Sequence, residues 1–91
     1  MSVRVQLPPV LRGVMGGERM LEAEGRSITA VLADLAKRHP ALGLHLFNEQ
    51  GAIRQNIVFL YDGEMIRAKD AGARQIKDGD EIVLTNALAG G

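Results

Sequence analysis

The first residues of the chain alternate between apolar and polar side chains. Arg4 and Gln6 fall between apolar residues on either side, which predicts a half-buried strand over Ser2–Leu7. A weaker strand over Arg19–Glu24 is expected to return beside it. The connection, Pro8–Gly17, is too long for a tight two-residue turn and is predicted to be a loop. Together these segments predict an N-terminal hairpin.

The clearest helix signal follows this hairpin. Ser27 is a favourable N-cap residue, and Pro40 is expected to end the helix after His39. Large apolar residues recur at helical spacing between them: Ile28, Val31, Leu32 and Leu35. Because burying each is worth roughly 1.5–3 kcal/mol before entropy is counted, we expect this stripe to pack on the inner face of a sheet.

Strand signals dominate the rest of the chain. Between the helix and the next strand, a short helical turn at the edge of the core is predicted from Leu42, Leu44, Leu46 and Phe47. A strong strand over Asn56–Tyr61, a short return strand over Glu64–Arg67 and a final strand over Glu81–Thr85 follow. This order predicts a two-layer α+β domain over residues 1–86, with a mixed sheet of four to five strands and one main helix across one face. Residues 87–91 are predicted to be a flexible tail.

Composition narrows the classes of function. The chain has 91 residues, one domain's worth. The chain has 11 lysine and arginine residues and 11 aspartate and glutamate residues, so its formal net charge is zero. This balance argues against a nucleic-acid or membrane partner held by bulk electrostatics. Without cysteine there is no disulfide, thiolate nucleophile or thiolate metal site. The longest apolar run, Ile57–Tyr61, is too short to cross a bilayer. Arg4, Gln6 and the two prolines that follow interrupt the N-terminal residues, which therefore lack the apolar core of a signal peptide, so a cytoplasmic protein is expected.

Other polar residues predict no independent active site or metal. His39 and His45 lack the accompanying ligands of a metal centre. Asp78 and Asp80 flank Gly79 but lack the remainder of a calcium loop, so a solvated turn is expected there.

The chemically informative feature is the C-terminal pair Gly90-Gly91. Because glycine has no Cβ, this end is thin enough to enter a narrow site and its carboxylate is sterically open. Residues 87–91, when extended, reach about 16–18 Å, which places the carboxylate in a partner's pocket while the domain stays outside. A frayed end is the alternative interpretation.

With this ending in its strand context, the sequence resembles the ubiquitin-like β-grasp sulfur carriers related to the small subunit of molybdopterin synthase and to the thiamine-pathway carrier. The matching residues are Asp78–Leu84 followed by Ala87–Gly91, supported by the helix up to His39 and the strand ending at Tyr61. The front half, from Leu7 to Gly17, most resembles the cysteine-biosynthesis branch of that family. Asn86 stands where relatives often carry proline.

The resemblance implies a carrier and co-substrate that is not itself an enzyme and binds no cofactor. An E1-like enzyme would use ATP to adenylate the Gly91 carboxylate, and a sulfur source would displace AMP to leave a thiocarboxylate. Gly90, Ala89 and Leu88 would give the tail access to partner sites. The implied acceptor is a biosynthetic enzyme such as a cysteine synthase, and a metalloprotease would release the product.

A carrier also needs a docking surface. Val58, Leu60 and Val83 alternate with residues expected in the core, so they are predicted to form an exposed apolar patch that binds a partner. Cover by Phe47 or by residues 41–54 is the alternative.

Several other functions remain open at this point. The chain could be the small subunit of molybdopterin synthase, or a carrier for thiamine or another sulfur-containing metabolite. It could also be a ubiquitin-like modifier joined to lysines through Gly91, or a plain binding module that is indifferent to loss of the diglycine.

Overall fold

The N-terminal hairpin is confirmed. Strand β1 (Ser2–Gln6) pairs antiparallel with β2 (Met20–Glu24). The connection is more ordered than the predicted loop, because it contains helix α1 (Pro9–Arg12) and a 3₁₀ turn (Gly13–Met15). Proline at the first helical position presets the backbone for a helix, and buried Leu11 anchors that short helix in the core. The computed structural model describes residues 2–86, and Asn86 by its backbone alone; the predicted tail lies outside the described residues.

The main helix also matches the prediction. Helix α2 covers Ile28–Arg38, and the Ser27 Oγ accepts a hydrogen bond from the Ala30 N–H at 3.1 Å. The apolar stripe is fully buried: Ile28, Val31, Leu32 and Leu35. The N–H of His39 closes the last turn by donating to the Leu35 carbonyl at 2.8 Å.

The predicted helical turn after α2 is a longer helix than expected. Helix α3 covers Pro40–Leu46, and Leu42 and Leu46 are buried. Leu44 was expected at the core edge with them, but it is 73% exposed because a residue midway between i and i+4 points to the opposite side of a helix. Phe47 follows the helix and packs against the core.

The last strand of the chain lies in the middle of the sheet. Strands β3 (Ile57–Tyr61), β4 (Glu64–Arg67) and β5 (Glu81–Asn86) complete a five-stranded sheet in the order β2-β1-β5-β3-β4. Strand β5 runs parallel to β1 and antiparallel to β3. The mixed α+β architecture is therefore confirmed, with each strand boundary within one residue of its prediction.

The core lies between the sheet and α2. Strand alternation sends one set of side chains towards the helix: Val3, Val5, Leu21, Ala23, Ile57, Phe59, Ile66, Ile82 and Leu84. Phe59, on β3, has no exposed surface. Among residues 2–86, no helix is long and apolar enough to cross a membrane.

Candidate functional site

The strand that leads to the diglycine is anchored on both sides. Residues Glu81–Val83 of β5 pair with β1, and residues from Val83 to Asn86 pair with β3. Beyond Val83 only β3 continues beside β5, because β1 has ended at Gln6. The chain therefore leaves the centre of the sheet from a position still paired with β3.

A side-chain bond reinforces this exit. The Thr85 Oγ1 donates to the Val58 carbonyl oxygen at 3.1 Å, joining β5 to β3 directly before the last described residue. Asn86 pairs with Ile57, the first residue of β3. The predicted tail residues Leu88, Ala89, Gly90 and Gly91 follow outside the described residues, and their roles stay predictions.

The sheet face opposite α2 brings together the residues that were singled out for docking. Leu60 lies opposite Val83 on one side and opposite Met65 on the other. Val58 lies one step along the same face, opposite Thr85. Leu60 is 38% exposed, and Val58 and Val83 are half-buried. Residues 41–54 therefore leave Leu60 accessible to a partner.

Two methionines extend this surface beyond the residues found from sequence. Met65, on β4, is 70% exposed, and Met20, on β2, is 36% exposed. Gln6 lies between Met20 and Val83 in the register, so one line of residues crosses all five strands. We call the apolar members of this face the open-face patch: Met20, Val58, Leu60, Met65 and Val83. In sequence, each methionine stands next to a residue that is buried, Met20 next to Leu21 and Met65 next to Ile66. Strand alternation could therefore have placed both methionines on the open face.

Polar side chains secure the other end of β5. The Tyr61 hydroxyl donates to the Asp80 Oδ2 at 2.5 Å, and the Lys77 N–H donates to the same oxygen at 2.7 Å. The Asp78 Oδ1 accepts from the Ser2 N–H at 2.7 Å. The predicted turn is confirmed, with Asp78 exposed, and the two carboxylates also tie the turn before β5 to β1 and β3.

The hydrogen bond between Tyr61 and Asp80 shifts the pKa values of the two groups in opposite directions. The hydrogen bond to Asp80 is the main cause that raises the pKa of Tyr61, because it stabilises the protonated phenol. The same bond lowers the pKa of Asp80. Arg74 stacks over the Tyr61 ring at 5.2 Å and forms an ion pair with Glu64 at 2.9 Å. The cluster therefore braces the sheet at the end opposite to the tail exit.

No group of three or more histidine, aspartate or glutamate side chains within the described part of the chain could hold a metal ion. His39 caps the end of α2, and His45 lies in the last turn of α3. The described residues thus offer an anchored chain exit and an apolar face.

Comparisons with known proteins agree with this geometry. The ThiS family model matches residues 5–91. Sulfur carrier protein CysO of Mycobacterium tuberculosis is 29% identical over 93 residues that span the whole of both chains. Similarity of this extent covers the domain and the diglycine together.

Solved structures share the fold. SAMP1 of Haloferax volcanii, a small archaeal modifier protein, is 26% identical, with a TM-score of 0.82 over all of both chains. A chain in the BexX/CysO complex of Amycolatopsis orientalis is 30% identical, with a TM-score of 0.76 over 98% of this chain and 99% of that one. The β-grasp prediction is thereby confirmed.

Proposed function

Because the chain belongs to the ThiS family, we propose that it is a sulfur carrier whose Gly91 carboxylate becomes a thiocarboxylate, and that it serves cysteine biosynthesis. The observation that carries the proposal is the extent of the family match, which continues through the diglycine to Gly91. Full-length similarity to CysO favours the cysteine pathway over the thiamine and molybdopterin alternatives.

The proposed chemistry takes place at the carboxyl group of Gly91. A carboxylate oxygen of Gly91 attacks the α-phosphorus of ATP on an activating enzyme, pyrophosphate leaves, and an acyl adenylate forms. Hydrosulfide then attacks the carbonyl carbon, the bond to the AMP oxygen breaks so that AMP leaves, and loss of the sulfur-bound proton gives a thiocarboxylate. Its sulfur is the nucleophile offered to the acceptor enzyme. The chain acts as a co-substrate throughout, since every catalytic group belongs to its partners.

The domain's part in this chemistry is to present the tail. The Thr85 bond to β3 holds the exit, while the open-face patch offers adjacent apolar surface for an enzyme to bind. The complex between BexX and CysO in the Amycolatopsis structure supports a protein enzyme as one such partner. We expect the patch to dock the activating enzyme with Leu60 near the centre of the contact.

Mass spectrometry tests the proposal directly. After incubation with an activating enzyme, ATP and sulfide, the C-terminal peptide should show one oxygen replaced by sulfur at Gly91. The matched control is the chain lacking Gly91, which should remain unmodified. An unmodified full chain, incubated with an enzyme that loads a related carrier in parallel, would contradict the proposal.

Protein modification is a second candidate, favoured by the likeness to the archaeal modifier SAMP1. In that function a lysine amine displaces AMP from the same acyl adenylate and forms an isopeptide bond. Higher-mass conjugates in cell extracts that disappear on deletion of Gly91 would support it.

A further inference from the structure

Cationic residues cluster at the end of the sheet from which the tail departs. The register places the end of β5 at the start of β3 and beside the end of β4, and β1 ends and β2 begins on its other side. We call this the exit end. Its cationic residues, in or next to these strand ends, are Arg12, Arg19, Arg54, Arg67 and Lys69. The neighbouring acidic residues in sequence are Glu18, Glu49 and Asp70, so the cations outnumber them.

The exit-end cations differ in their partners from Arg4, Arg38 and Arg74, though not from Arg26, Lys37 and Lys77, which likewise form no ion pair within residues 2–86. Arg4, Arg38 and Arg74 each form an ion pair with a carboxylate. Among the residues that the structure describes, no exit-end cation forms one; Arg12 and Arg54 donate to main-chain carbonyls instead. Within residues 2–86, no ion pair therefore offsets their positive charge.

The opposite end of the sheet is acidic. Its strand ends and adjoining turns carry Glu24, Asp62, Glu64, Asp78, Asp80 and Glu81, which outnumber the cations of the same end, Arg4, Arg26, Arg74 and Lys77. Zero net charge thus conceals a separation of charge along the strands. A separated charge orients a protein in the field of its partner even where net attraction vanishes. In an acidic field, this chain would approach with its exit end, and hence its tail, foremost.

We propose that the exit end docks on an acidic protein surface at the mouth of the site where the activating enzyme receives the tail. The inference rests on the proposed function and deepens it by stating the chemistry of the partner surface. Charge attraction acts over about 8 Å at physiological salt, so acidic side chains around that mouth would align the chain before apolar contact forms.

A protein surface fits better than a nucleic acid. Single-stranded nucleic acids are bound by basic grooves that also offer aromatic rings for base stacking. Here Phe59 is buried and Phe47 packs against the core, while the open-face patch beside the exit end is aliphatic and methionine-rich. That combination suits an interface with an apolar centre and a charged rim.

A matched pair of lysines tests the inference. Lys69 lies at the exit end and Lys77 at the opposite end, and both are exposed. We would measure ATP–pyrophosphate exchange by the activating enzyme at increasing concentrations of each full-length variant. Lys69→Glu, alone and combined with Arg67→Glu, should raise the KM for the carrier, the double variant by about tenfold at low salt. The kcat should stay unchanged, and Lys77→Glu should keep the wild-type KM. Raised salt should shrink the difference.

An equal KM for all variants, or an equal rise for Lys77→Glu, would overturn the inference and leave the proposed function intact. A binding experiment that needs no enzyme tests the inference separately from the proposed function. Hexaglutamate titrated into the full-length chain should shift amide signals at the exit end, and less so in Lys69→Glu. Uniform shifts at both ends, or stronger binding of a single-stranded oligonucleotide of equal charge, would also overturn it.

Discussion

Replacement of Leu60 isolates the contribution of the open-face patch to partner binding. Leu60 is 38% exposed, so docking can remove only that part of its surface from water. Full burial of a leucine is worth roughly 1.5–3 kcal/mol, so the accessible part is worth about 0.6–1.1 kcal/mol. Leu60→Ala should therefore weaken binding to the activating enzyme by about 3–6-fold, at about 1.4 kcal/mol per tenfold.

Leu60→Glu should have a larger effect. It removes the same apolar contact and leaves a carboxylate facing an apolar partner surface, which costs at least about 1 kcal/mol more. We therefore expect a loss of at least about tenfold. Unfolding free energy should change by about 1 kcal/mol or less, because this face of the sheet is open to solvent.

The assay is the KM for the carrier in ATP–pyrophosphate exchange, with thermal unfolding measured on the same samples. Leu44→Glu is the matched control, since Leu44 is 73% exposed on α3 and away from the sheet face. Wild-type KM for Leu60→Glu, or an equal rise for Leu44→Glu, would refute the docking argument. Failure of Leu60→Glu to fold would show that Leu60 supports the domain instead.

Further substitutions test the fold. Tyr61→Phe removes the hydrogen bond to Asp80 and should cost about 1 kcal/mol of unfolding free energy near neutral pH. That bond lowers the pKa of Asp80 and raises the pKa of Tyr61. The stabilisation that the bond provides should therefore be lost as pH falls through the lowered pKa of Asp80, and also as pH rises through the raised pKa of Tyr61. In urea titrations, the unfolding free energy of Tyr61→Phe should thus depend less on pH than that of the wild-type chain. Gly25→Ala should destabilise by about 1–3 kcal/mol, since a Cβ there would lie 2.7 Å from a backbone nitrogen of α2. Gly13→Ala, with helical φ of −63° and no atom within 4 Å of the new Cβ, should be neutral or stabilising in the same titration. Phe59→Ala should cost about 3–5 kcal/mol and lower the melting temperature sharply in calorimetry.

Local pattern was enough to predict the five strands and the main helix of this chain. Alternation in β1 and the helical stripe of α2 each specify both an element and its buried face, because side-chain direction follows directly from backbone period. The segment Pro8–Gly17 was harder, since its short helix is held by one buried leucine and shows no repeated period. Leu44 was misplaced for a related reason: a seven-residue helix leaves few repeats from which to choose its buried side.

The functional surface depended on information that no local pattern contains. Leu60 and Val83 could be assigned to one face from alternation, but Met20 joins them only through pairing between strands distant in sequence. The central position of β5 is likewise a property of topology. It matters to the proposed function because β5 ends in the middle of the sheet, where surface on both sides could contact an enzyme that receives the tail.

Charge shows the same dependence on register. Equal numbers of acidic and basic residues exclude attraction through net charge, and composition supports no more than that. Once the strands are aligned, Arg67 and Lys69 fall at the exit end, whereas Asp78 and Asp80 fall at the opposite end. Net charge cannot orient a neutral domain towards an enzyme that binds its tail. Only the distribution of the charges over the surface can do so, and that distribution cannot be read from composition. In the proposed docking, the separation of charge would supply that orienting force, and the open-face patch would supply the apolar contact that follows correct approach.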